Sequence, residues 1–183
     1  MKNKFTKNSK GSMAVEFALL APVFFYILFA IIEIFAFMLA QGILESAVRQ
    51  AARSGLTGYN PDGVNRDDYI KQQVEDKVFF INADNLNFDT LIYSSFTNIN
   101  QPEPHTDQNG DGYYDIGEPY TDVNANGQWD ADMGVAGSGG AGDIVVYKLS
   151  YTWHFMTPFI GAFLSDNGTM NIVANAVVKN EPF

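Results

Sequence analysis

The sequence predicts an α+β protein: a long N-terminal transmembrane helix packed at its outer half against a small antiparallel sheet, with an acidic loop insertion. Three observations predict this. A long apolar run near the N-terminus has helical spacing. Two segments near the C-terminus alternate apolar and polar residues. Between them lies a glycine- and aspartate-rich stretch without cations.

Phe17 to Ile32 gives sixteen residues without a charge, and Ile34–Ala40 continues the run beyond Glu33. With Met13–Val15 included, about 28 residues make roughly 42 Å of helix at ~1.5 Å per residue. A bilayer core of about 30 Å needs roughly 20. An ordinary cleaved signal peptide has a shorter apolar core. Leu44, Ala47, Val48, Ala51 and Ala52 carry the helical pattern onward, so one helix is expected from near Ser12 to near Ser54. Pro22 lies inside it and predicts a kink. Lys2, Lys4, Lys7 and Lys10 precede the span, whereas Arg49 and Arg53 follow it. This excess places the N-terminus in the cytoplasm and the remainder outside.

In the outer part, Arg66–Ile81 is a second helix, with Ile70, Val74, Val78 and Ile81 on one side. Phe88–Tyr93 is a short strand. Ile144–Phe155 alternates, placing Val145, Tyr147, Leu149, Tyr151, Trp153 and Phe155 on one face. Thr169–Lys179 does the same with Met170, Ile172, Ala174, Ala176 and Val178, after a turn at Asp166-Asn167-Gly168.

The net charge is −10, and no Lys or Arg occurs from Val78 through Tyr147. Duplex binding needs clustered cations, so nucleic acid is not an expected partner. There is no cysteine, which excludes disulfides, thiolate metal sites and thiol catalysis. His105 and His154 form no metal-spaced pair, and no G-x-S-x-G is present. No enzyme is expected.

The acidic stretch contains a candidate cation site. Asp107-Gln108-Asn109-Gly110-Asp111-Gly112-Tyr113-Tyr114-Asp115-Ile116-Gly117-Glu118 fits the calcium-loop pattern D-x-[DN]-x-[DN]-G-x5-E in full. Asp107, Asn109 and Asp111 would give side-chain oxygens, Tyr113 its carbonyl, Asp115 a direct or water-mediated contact, and Glu118 a bidentate one. A second copy follows 15 residues later at Asp122, Asn124, Asn126, Gln128 and Asp130. There Met133 replaces the bidentate acid, which makes this loop the weaker one, with Asp132 as a substitute. Pro102, Pro104 and Pro119 leave no room for flanking helices. The competing reading is that Asp, Asn and Gly at this density simply make turns. Gly134–Gly142 is expected to be a flexible return to the sheet.

At the helix start, Lys10-Gly11-Ser12-Met13-Ala14-Val15-Glu16-Phe17 resembles the prepilin peptidase site of type IV-like pilins, with cleavage between Gly11 and Ser12. In such assemblies the glutamate equivalent to Glu16 is thought to pair with a neighbour's freed amino terminus. The alternative is that Glu16 sits at the membrane interface near the helix start. Glu33 is an intramembrane acid, and either marks a functional site or snorkels to water at the outer interface.

Ala14–Pro22, Ile31–Phe35 and Ala47–Gly55 look like the corresponding stretches of TadE-like proteins. Tyr151–Phe159, with its aromatic strand and Thr-Pro, and the ending Ala174–Phe183 are similar to that family too. The resemblance implies a pseudopilin or minor subunit in assembly of the tight adherence (Flp) pilus. It implies a bacterial inner-membrane location, with a prepilin peptidase, other pilin or pseudopilin subunits and the assembly platform as partners.

The expected organisation is a basic leader at 1–11, the long helix at 12–56 and an extracytoplasmic domain at 57–183, with the calcium-loop insertion at 102–142. A membrane-anchored, calcium-dependent adhesion or binding module that is never cleaved is the alternative.

Overall fold

Where the apolar run begins, a helix begins. In the computed structural model, which describes residues 9–59, 61, 63–78, 81–82, 85–165 and 167–182, helix α1 runs unbroken from Ser9 to Leu56 with Pro22 inside it. Lys2, Lys4, Lys7, Asp166 and Phe183 lie outside the described residues, as do the side chains of Lys10 and Ser12. Helix α2 spans Arg66–Lys77, and Val78 caps its end rather than extending it to Ile81. The Asn65 side chain accepts from the Asp67 N–H and so closes the α2 start, a standard use of asparagine at that position.

Four strands follow: β1 (Leu86–Tyr93), β2 (Val135–Ala136), β3 (Ile144–His154) and β4 (Thr169–Lys179), in the order β2-β1-β3-β4. A short helix α3, Pro158–Leu164, joins β3 to β4. Strand β1 pairs antiparallel with β3, with Leu86 opposite Tyr151 and Tyr93 opposite Ile144. The expected flexible return at Gly134–Gly142 is partly structured, because Val135 and Ala136 pair with Ile92 and Leu91 as an edge strand. A two-residue strand is too short to show a period in the sequence.

The chain forms two compact units, residues 1–39 with 153–170, and residues 40–152 with 171–183. In the larger unit, Leu44, Ala47, Val48, Ala51 and Ala52 of α1 are buried, and so are Ile70 and Val74 of α2. The alternation predicted for β3 holds, with Val145, Tyr147 and Leu149 fully buried. Tyr147 joins three elements. Its ring stacks on Phe88 of β1 at 6.4 Å, and its hydroxyl end abuts Gly55 of α1 so closely that a Cβ there would collide with it. Burial pushes the Tyr147 hydroxyl pKa up. Arg66 ties α2 to both sides by donating to the Gly55 and Gly139 carbonyls.

The other face of the sheet is buried as well. Tyr93, Val146 and Met133 form a second cluster, with Leu91 and Ile99 packed against it. Met133, read in the sequence as the twelfth position of a cation loop, is a core residue 7% exposed.

In the smaller unit, α1 exposes its apolar side chains. Phe17 is 63% exposed, Leu20 67% and Phe35 69%. By length and composition, α1 can cross a membrane.

Candidate functional site

The candidate residues fall into two clusters. The first is the acidic insertion. In loop one, the Asp107 carboxylate accepts from the Gly110 N–H at 2.6 Å and the Gly112 N–H at 2.8 Å. These backbone donors hold its carboxyl below the usual carboxylate range. Asn109 and Asp111 accept from the N–H groups two residues on, at 3.0 and 2.8 Å. The Asn109 amide also donates to Asp111 and Asp115, at 3.2 and 2.7 Å. Loop two repeats the plan. Asp122 accepts from Asn126 and Gly127, and Asn124 and Asn126 both donate to Asp130. Gly112 and Gly127, at the sixth positions, have φ of 83° and 82°, the left-handed region where a side chain is strained.

The acids that close the loops are placed in a way the linear pattern did not reveal. Glu118 is 7% exposed and accepts from the Gln108 N–H at 2.8 Å and the Asp115 N–H at 3.1 Å, the second and ninth positions of loop one. Glu103 is 0% exposed and does the same for loop two: it accepts from the Val123 N–H at 2.7 Å and the Asp130 N–H at 3.3 Å. Neither Met133 nor Asp132 fills this place. Met133 is in the core, and Asp132 accepts from the Tyr93 hydroxyl at 2.9 Å. That carboxylate and burial push the Tyr93 pKa up to about 12, burial being the larger cause.

The loops are therefore reciprocal. Each draws its closing acid from the start of the other repeat. The backbone reflects this: Thr106 N–H donates to the Pro119 carbonyl, and Thr121 N–H to Pro104, both at 2.8 Å, around a His105–Tyr120 bridge. Tyr114 and Trp129, also 15 apart, stack at 4.4 Å. A signal was present: Glu103-Pro104 and Glu118-Pro119 precede their loops at the same offset. A search that looks only downstream for the twelfth residue passes over Glu103.

The donors do not converge on one point. Among the described residues, no group of three or more His, Asp or Glu side chains is arranged to hold a metal ion. What the insertion offers is the oxygen-rich donor set that hard cations select.

The second cluster is the start of α1. Gly11, Glu16 and Phe17 are all exposed on its first turns. Glu33, farther along, does not reach solvent. It is 1% exposed, and its carboxylate accepts from the Met156 and Thr157 N–H groups that precede α3. Thr157 makes no side-chain cap of its own, and the Glu33 bonds lie one step earlier, on the two N–H groups that lead into the helix.

Compared with known families, residues 11–53 match the family described as TadE-like protein. The matched stretch contains the Gly11–Phe17 start, Glu33 and the Ala47–Arg53 run; the C-terminal resemblance lies outside it. The comparisons with curated proteins and with solved structures each return no match.

Proposed function

We propose, from the TadE-like match at residues 11–53, that this chain is a membrane-anchored, pilin-like minor subunit working in assembly of a tight adherence pilus. That match is the observation that carries the reading. The apolar α1 supports it, being long enough to anchor the chain in a bacterial inner membrane. The leader lysines favour a cytoplasmic N-terminus. A prepilin peptidase would cut between Gly11 and Ser12. Glu16 would then face the freed amino terminus of a neighbouring subunit, a pairing that offsets the cost of a carboxylate in lipid. No catalytic role is assigned.

The test is the mass of the membrane-extracted protein made with and without the peptidase. A chain beginning at Ser12 only when the peptidase is present is the expected result. A persistent Met1 terminus in its presence sinks the processing step.

For the insertion, the reading is a calcium-stabilised pair of loops. Asp107, Asn109, Asp111, Tyr113, Asp115 and Glu118 would serve one ion. Asp122, Asn124, Asn126, Gln128 and Asp130 would serve the other, with Glu103 as the closing acid. The donor chemistry fits a hard cation, and the closing acids are already seated. Calorimetric titration and thermal unfolding of the full chain with calcium test it. No heat and no shift at millimolar calcium rule the reading out. The alternative is an uncleaved, membrane-anchored calcium-dependent adhesion or binding module, which the Ser12 terminus would exclude.

A further inference from the structure

Helix α3 is amphipathic in the reverse sense for a water-facing element. Ile160 is 4% exposed and Gly161 is buried, whereas Phe159 is 76% exposed, Phe163 86% and Met156 71%. Phe159 and Phe163 are four apart within α3 and so share one face, and Met156, just before the helix, is exposed as well. Gly161 is what seats the other face. A Cβ there would press on Phe155 and on the Gly168 backbone, each at 3.1 Å. Residues 155–164, Phe-Met-Thr-Pro-Phe-Ile-Gly-Ala-Phe-Leu, contain no charged side chain.

The place where this face sits is set by Glu33. Its carboxylate holds the Met156 and Thr157 N–H groups against α1. Phe37, one turn farther along, meets Trp153 edge-on at 5.9 Å. From Met13 to Glu33 the helix rises about 30 Å, the thickness of a hydrocarbon core. The exposed apolar surface of α1 thus continues onto α3 where the span reaches its far boundary. An apolar cleft of about 450 Å³ opens between them, lined by Phe29, Ile32, Glu33, Met156, Thr157 and Pro158.

We propose that residues 155–164 insert into the distal face of the lipid bilayer, so that the chain meets the membrane through two segments, α1 and α3, with acyl chains filling the cleft. The occupant is lipid because the face is continuous with the span, bears no charge and has the short length of an interfacial segment. Glu33 then serves as a buried clasp holding the second segment to the first. The proposal rests on α1 crossing the bilayer, and the experiment separates the two.

The chain has no cysteine, so one introduced cysteine takes a unique nitroxide label. Phe163→Cys and Phe159→Cys are made in the full chain, reconstituted in phosphatidylethanolamine–phosphatidylglycerol vesicles. Leu20→Cys, on the apolar part of α1, is the lipid reference. Ile116→Cys, wholly exposed in the acidic loop, is the aqueous reference. All four replaced side chains are exposed, so the fold tolerates them. Oxygen collision at 159 and 163 several-fold above that at 116, with nickel-chelate collision several-fold below it, is the expected result. Nickel access equal to that at 116, with Leu20 lipid-facing, overturns the proposal. Shielding from both reagents also overturns it, in favour of cover by a second copy. A water-exposed Leu20 overturns the spanning helix and the proposal together.

Discussion

Glu103 and Glu118 stand 15 residues apart and occupy equivalent places in each other's repeats. Each is buried, and each accepts backbone N–H groups from the second and ninth positions of a loop. Removing either leaves two or three part-buried N–H groups without that acceptor, at about 1–3 kcal/mol per group where water does not replace it. Glu103→Ala and Glu118→Ala are therefore expected to destabilise the larger unit by similar amounts, about 2–4 kcal/mol each. Chemical denaturation of the full chain in detergent measures this. A near-neutral Glu103→Ala beside a damaging Glu118→Ala would mean the reciprocity has no energetic weight.

Tyr93 and Asp132 make the Tyr93–Val146–Met133 cluster sensitive to alkali. The hydroxyl donates to both carboxylate oxygens, at 2.9 and 3.0 Å, and its pKa is pushed up to about 12. A raised folded-state value means the neutral phenol is favoured in the fold. Its stabilisation is fully present below the unfolded value of about 10 and is lost as pH rises toward 12. The melting temperature should fall across that window in the wild type, and fall less in Tyr93→Phe. At neutral pH, Tyr93→Phe should cost about 1.5–3 kcal/mol, as for a hydrogen bond to a charged group.

Gly55 and Tyr147 are a steric pair. A Cβ at position 55 would overlap the phenol end, so Gly55→Ala should destabilise by about 1–3 kcal/mol through overpacking. The Tyr147 hydroxyl is buried and has no hydrogen-bond partner among the described residues. Tyr147→Phe should thus be neutral or stabilising, and in the Gly55→Ala background it should restore part of the loss. A double-mutant cycle followed by thermal unfolding reads the coupling. Strict additivity would place the two residues out of contact.

Glu33 holds the chain just before α3. Glu33→Ala should release the Met156 and Thr157 N–H groups, a loss of about 1–3 kcal/mol. Hydrogen exchange by mass spectrometry, on the full chain in lipid discs, should then show peptides covering 153–164 exchanging about tenfold faster or more. Unchanged protection there would show that the clasp carries no weight.

How much was legible in advance depended on whether the cause was local. Helix α1 was readable because its apolar run is unbroken and long, and Leu44, Ala47, Val48, Ala51 and Ala52 carry helical spacing beyond it. Strand β4 was readable because its alternation survives in burial: Ile172 and Ala174 lie inward, while Val173 and Val177 are exposed. In β3 the predicted inward set Val145, Tyr147 and Leu149 is fully buried, but Ile144 and Val146 are buried too, on the second face. Helix α3 was hidden by its shortness, and by aromatic residues that read as a continuation of β3. Met133 was misplaced because a loop pattern was extended by count, when the side chain was needed in the cluster with Tyr93 and Val146.

The sequence by itself determined the long apolar helix, the alternating strands and the cation-free loops. All are set by residues close together in the chain. Only the tertiary structure decided that Glu103 closes loop two, that Glu33 caps the approach to α3, and that Tyr147 is wedged beside Gly55. In each case a buried polar or bulky group takes its partner from a distant segment. Burial removes water as the alternative partner, so which segment comes near depends on the fold as a whole.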